Sequence, residues 1–227
     1  VWMTLLELAL PVLALLGIRL TEWKAGPGIA WAMMVFSVVW YHGFRAIIVG
    51  QFAVIEALLL AGALIAVLRG QGVLGGILLA LTIAKPQMTF LLVPFLLFWA
   101  VWSRRWATVV STLITLAVLI GGSLAIMPDW PILWLRQVVN YPSYTALGPP
   151  VSIIASLIPQ VSGTAELVVS GLLILYLLRE WILAFRQGGR ALVWAGMLTL
   201  TITNLVAFRT ATTNYVVILP VLCLIFS

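Results

Sequence analysis

One cysteine and one histidine in 227 residues exclude much of the chemistry that a chain of this length could carry. Cys223 has no thiol to pair with, so there is no intrachain disulfide and no cysteine metal site, and His42 has no second imidazole with which to share a metal ion. Charge is equally scarce. Charged residues make up 8% of the chain against 64% hydrophobic, and mean hydropathy is +1.21. A water-soluble globule of this size could not hide so much apolar surface, so the chain reads as an integral membrane protein. Twelve Lys and Arg against six Asp and Glu leave a net charge of +6, the usual excess of cytoplasm-facing cations. That excess points to a lipid bilayer as the partner and not to nucleic acid. No metal or cofactor is expected, and no targeting or lipidation motif is visible.

What the chain has is apolar runs. They lie at about 3–18, 29–41, 52–68, 73–84, 86–102, 107–127, 164–184, 191–207 and 213–227, several shorter than the roughly 20 residues that cross a bilayer unaided. The fold class expected is all-α: one polytopic transmembrane helical bundle over 1–227, with about eight to nine spans of uneven length. The stretch 151–159 is too short to span and reads as an interfacial or re-entrant helix. Uneven spans suit a protein that encloses a cavity. Gly72, Gly76 and Ala80 recur at a spacing that lets helices approach closely, and Pro11, Pro94 and Pro220 read as kinks within spans. The segment 128–150 interleaves Trp130, Trp134, Tyr141 and Tyr144 with prolines, and reads as an outer aromatic loop in the headgroup layer. The chain opens Val1-Trp2-Met3 inside a hydrophobic segment, without an initiator methionine, and is read as a piece of a longer protein.

The most informative charge is Lys85. It interrupts an otherwise apolar stretch, Gly75 to Ala84, and is followed by Pro86. An ammonium at membrane depth is costly and marks a functional site by default. If Pro86 separates two spans, Lys85 falls at a membrane face, where it could hold the phosphate of a lipid-linked substrate. Cation bias gives the orientation: with 19–28, 69–72, 103–106 and 185–190 facing the cytoplasm, that side collects Arg19, Lys24, Arg69, Arg104, Arg105, Arg186 and Arg190. The outer side keeps Arg45, Lys85, Arg136 and Arg209.

A phosphate leaving group gains charge in the transition state, so a preorganised cation at its oxygens lowers the barrier. Lys85 and Arg209 suit that task, and Arg45 could add a bidentate clamp. Gln51, near a helix start, can donate to a phosphate or a sugar hydroxyl, or simply cap its helix. His42 lies near Arg45 and takes an interfacial polar role, a catalytic or donor-contacting role or, least, that of a single cofactor ligand. Glu56 could pair with an outer cation, whereas Glu7 is mid-span and needs a partner. Asp129 is the only aspartate and hence the one aspartate that could act as a base, although its Pro-Asp-Trp-Pro setting is ordinary turn chemistry.

Gly50-Gln51-Phe52 through Glu56, then Leu68-Arg69-Gly70-Gln71-Gly72, then Gly75-Gly76 through Ala84-Lys85-Pro86-Gln87 and on to Ser103-Arg104-Arg105-Trp106, resembles the central part of a known family. It is that of the polyprenol-phosphate-sugar-dependent glycosyltransferases of the C-type superfamily, nearest to the α-mannosyltransferase-like glycosyltransferase family 87. The resemblance is good over about 40–110 and elsewhere rests on hydropathy. It implies inverting transfer of a mannose-like sugar from a polyprenyl-phosphate donor at the outer face of a bacterial plasma membrane. It also implies a catalytic carboxylate on a first outer loop, which would lie upstream of Val1. Such enzymes often carry a histidine near the place where this sequence reads Arg209-Thr210-Ala211-Thr212-Thr213-Asn214, so Asn214 joins the expected donor-binding residues. Two alternatives stand beside the transferase: a non-catalytic membrane subunit partnered with other subunits of a larger complex, and, more weakly, a transporter.

Overall fold

The computed structural model describes residues 1–144, 150–155, 157, 162–206 and 211–227. Among these there are thirteen α-helices, two 3-10 segments and no strand. The order is α1 Trp2–Leu20, α2 Pro27–Val39, α3 Tyr41–Ile48, α4 Ala53–Leu68, α5 Gly72–Leu81, a 3-10 turn Thr82–Ala84, α6 Pro86–Thr89, α7 Leu92–Trp102 and α8 Trp106–Ile126. Then come α9 Trp130–Tyr144, α10 Pro150–Ala155, α11 Ser162–Gln187, α12 Gly189–Val206, a 3-10 segment Thr212–Ile218 and α13 Leu219–Phe226.

Short connections between apolar helices force them to run antiparallel, and the elements resolve into nine legs of a bundle that match the nine apolar runs. Four helices, α1, α8, α11 and α12, are each long and apolar enough to cross a bilayer, and the pair α2 and α3, bent by 51°, makes a fifth. The remaining legs are shorter apolar helices, including Ala53–Leu68 and Leu92–Trp102. The protein is an all-α membrane bundle.

The legs differ sharply in enclosure. α4 sits in the middle, with Ala53, Ala57, Ala61, Ala63 and Ala66 buried on several sides, small residues that admit neighbouring backbones. It packs on α1, α5 and the Thr212–Ile218 segment. By contrast α8 buries only Thr108 and Thr112 of its 21 residues and turns the rest outward, as a lipid-facing helix does. Its main contact seam is with α5, and a smaller one is with α7. A Cβ on Gly76 would stand 2.5 Å from the Thr108 carbonyl oxygen and 2.9 Å from the Thr112 nitrogen, so glycine alone fits there. The Thr112 hydroxyl donates to the Gly76 carbonyl at 3.2 Å across this seam. The small-residue spacing thus does what the sequence suggested.

Of the three prolines expected to kink spans, Pro11 does lie inside α1. Pro94 and Pro220 fall in the first turns of α7 and α13, where the missing N–H costs nothing. The segment expected to run as an aromatic loop is helical over Trp130–Tyr144. Pro131 lies in the first turn of α9, where a helix tolerates proline. Within the stretch 151–159, expected as a short helix, the structure shows the six-residue α10 over Pro150–Ala155; residues 156, 158 and 159 lie outside the described residues.

Candidate functional site

Pro86 explains the backbone at Lys85. The residue before a proline is driven out of the helical region, and Lys85 adopts φ −129 and ψ 71, which ends the 3-10 turn and starts α6. Threonines absorb the carbonyls this break frees: Thr82 Oγ1 donates to the Leu79 carbonyl at 2.7 Å, and Thr89 Oγ1 to the Thr82 carbonyl at 3.2 Å. The half-buried Lys85 is therefore displayed from a fixed, non-helical joint.

A second joint faces it. α3 is closed off by Gly50, two residues past its end, at φ 66, a left-handed conformation that suits glycine, and the Gln51 amide turns back to the Ala46 carbonyl at 2.8 Å. Gln51 then precedes α4 without capping it, since no side-chain cap bond forms there. Its side chain meets Lys85 instead: Lys85 Nζ donates to Gln51 Oε1 at 3.1 Å. Two residues far apart in sequence, each beside a helix break, thus share one hydrogen bond.

Polar groups cluster around this pair. Glu56, in the first turn of α4, is fully buried and interacts electrostatically with Lys85, and neither carboxylate oxygen has a hydrogen-bond partner among the described residues. Thr203, Asn204 and Thr213 are buried on elements that close over α4 and α6, and Thr203 Oγ1, Asn204 Oδ1 and Thr213 Oγ1 likewise find no partner among the described residues. Buried polar atoms are rarely left so, and their gathering at one end of the bundle marks a polar interior. Sequence reasoning missed Thr203 and Asn204. Their signal was a Thr-Ile-Thr-Asn run, Thr201 to Asn204, inside an otherwise apolar leg.

His42 joins this end by another route. Its Nδ1–H donates to the Thr212 carbonyl at 2.7 Å, and its ring sits edge-on to Trp40, Tyr41 and Tyr215, with centroids 4.8, 5.2 and 5.1 Å away. The bond ties α3 to the Thr212–Ile218 segment, on which Asn214 is buried. Arg45 goes elsewhere. It lies on the exposed face of α3, opposite Gly43, Ala46 and Ile47, and donates to the Tyr41 hydroxyl at 2.6 Å one turn away. Asp129 is exposed just ahead of α9, and Glu7 is exposed on α1. Arg209 lies outside the described residues.

Depth can be read from helix lengths. Arg105 Nη1 donates to the Val67 carbonyl at 2.9 Å, which levels the end of α4 with the start of α8. At 1.5 Å per residue α4 measures about 24 Å and α8 about 31 Å, so the Gln51 end of α4 stops roughly one helical turn short of the far end of α8. Lys85, bonded to Gln51, therefore lies at the end of α4 opposite the one that Arg105 holds.

No curated protein and no solved structure gives a significant match to this chain. The sequence pattern of glycosyltransferase family 87 matches residues 1–203, most of its length. The chain belongs to glycosyltransferase family 87, a family of membrane glycosyltransferases of the C type.

Proposed function

We propose that this protein transfers a mannose-like sugar from a polyprenyl-phosphate donor to an acceptor at the outer face of a bacterial plasma membrane, with Lys85 and Gln51 holding the donor phosphate. The observation that carries the proposal is the bond of 3.1 Å between Lys85 Nζ and Gln51 Oε1 at a recessed polar end of the bundle. Lys85 has two donors left after that bond, and Gln51 keeps its amide NH2, so together they present N–H groups to one anion. Breaking the bond between the sugar and the lipid phosphate returns an electron pair to a phosphate oxygen. The leaving group becomes a phosphate monoester dianion, and a nearby ammonium favours that product-like charge over the singly charged starting diester. Gln51 fixes the direction of the ammonium, which a flexible lysine would otherwise lose.

The other expected residues take lesser places in this reading. His42 and Asn214 shape the wall on the Thr212–Ile218 side, while Arg45 and Tyr41 stand at the rim, where lipid headgroups pass. Asp129 is the candidate within the chain for accepting the acceptor's proton, and Arg209 remains a candidate second cation at the phosphate.

The test is transfer of radiolabelled sugar from polyprenyl-phosphate donors by the purified protein in vesicles, comparing wild type with Lys85→Met and Asp129→Asn. Loss of transfer with Lys85→Met, in a variant that melts like the wild type, supports the reading. Equal transfer by both proteins removes Lys85 from the mechanism. No transfer by the wild type with any such donor favours the non-catalytic membrane subunit.

A further inference from the structure

The opposite end of α4 has a cation cluster that the transferase reading does not use. Arg19 from the end of α1, Arg69 at the C-terminal cap of α4 and Arg190 in the first turn of α12 line one cavity of about 440 Å³. We propose that this cavity is a binding site for an anionic phosphate group.

Cations are expected at the cytoplasmic ends of spans, so their number alone says nothing. Their use separates them. Arg105 is committed to the Val67 carbonyl at 2.9 Å and lies 4.7 Å from the Trp99 ring centre. Arg179 pairs with Glu180 at 2.8 Å. Arg19, Arg69 and Arg190 form no ion pair within 4.0 Å among the described residues, yet the fold brings them from three separate helices to one concavity. Glu22 is the only carboxylate on its lining.

The helix ends deepen the imbalance at one point. α12 begins here at Gly189, φ 51, directly after Gly188 at φ 65, and its first turn carries Arg190 and no acidic residue. The unpaired amides of a helix start already carry positive partial charge, so a guanidinium there is unfavourably placed unless an anion joins it. α1 and α4 end at the same cavity, and their carbonyl ends offset part of the charge of Arg19 and Arg69 but not that of Arg190. Guanidinium groups grip phosphate oxygens in a fork, and basic pockets between the ends of membrane helices suit phosphate headgroups. Leu20, Leu68 and Leu224 supply an apolar wall beside the charges, as an amphiphile requires. The ligand is thus a phosphate ester or phosphate ion, supplied by an anionic lipid of the adjoining leaflet or from solution.

Native mass spectrometry of the purified protein, titrated separately with phosphatidylglycerol, phosphatidylcholine and inorganic phosphate, tests this without any transfer assay. The variants are Arg19→Gln/Arg69→Gln/Arg190→Gln, and a control of equal charge, Lys24→Gln/Arg104→Gln/Arg186→Gln. The wild type and the control should retain the anion equally, and the cavity variant should need about tenfold more of it. Retention of phosphatidylglycerol but not phosphate identifies a lipid source; retention of both identifies the phosphate group alone as sufficient. If the triple variant does not fold, Arg190→Gln carries the test, with a weakening of about threefold expected. Equal retention by cavity variant and control, phosphatidylcholine held as well as phosphatidylglycerol, or no retention of any anion overturns the proposal.

Discussion

α4 carries a positively charged site at each end, and the two are built on opposite principles. At its start, one ammonium is half-buried among polar side chains, with a hydrogen bond to Gln51 and a fully buried carboxylate within electrostatic reach. At its finish, three guanidinia stand exposed around an open cavity. Charge in a dry interior is strong and intolerant of change because little water screens it; charge at a wet surface is weak singly and acts by number. A fixed single cation suits a chemical step, and a loose group of them suits holding a headgroup.

The largest expected effect lies at the buried end. Lys85→Met should lower sugar transfer by about 100-fold or more, the scale set by removing one preorganised donor from developing negative charge. Lys85→Arg should recover only part of it, because a planar fork does not replace a point charge at this joint. Full activity in Lys85→Met would erase the contrast between the two ends. Next comes Gln51→Leu, which frees the ammonium to swing. A hydrogen bond to a charged group is worth about 1.5–3 kcal/mol, so kcat/KM should fall roughly 10- to 100-fold. A change of less than twofold would mean that Gln51 does not aim Lys85.

Smaller effects compare the ends directly. A double-mutant cycle of Glu56→Gln with Lys85→Met, read by thermal unfolding, should give a coupling of about 0.5–3 kcal/mol. The same cycle for Glu22→Gln with Arg69→Gln should stay below about 0.5 kcal/mol, as exposed charges do. Equal couplings would show that burial does not separate the sites. The smallest effect is that of salt. Raising it from about 0.05 to about 0.5 M should weaken anion retention at the arginine cavity several-fold while shifting the donor KM by less than about twofold, because only the exposed charges are well screened.

Much of this was legible in the sequence. Long apolar runs have few physical solutions in lipid, so nine runs became nine helical legs. Pro86 had to end a helix, and so Lys85 had to sit at a joint. The aromatic segment expected as an outer connection is helical over Trp130–Tyr144, which Pro131 allows because proline is tolerated in a first turn. Arg45 was grouped with Lys85 by side of the membrane, but side is not direction: a quarter-turn on α3 decides whether a residue faces the bundle or the lipid, and Arg45 meets Tyr41 on the outside. Thr203 and Asn204 escaped notice because threonine and asparagine inside an apolar run become significant only when other polar groups close over them.

By itself the sequence determined the solvent of this protein, its helical class, the approximate number of its legs and the break at Lys85, since each follows from hydropathy or from the geometry of one proline. The tertiary structure alone decided that Lys85 meets Gln51, that Glu56 is sealed beside them, and that three arginines from distant helices share one cavity. Those facts depend on the rotation of each helix about its axis and on which legs are neighbours. Packing sets both, and no local pattern encodes either.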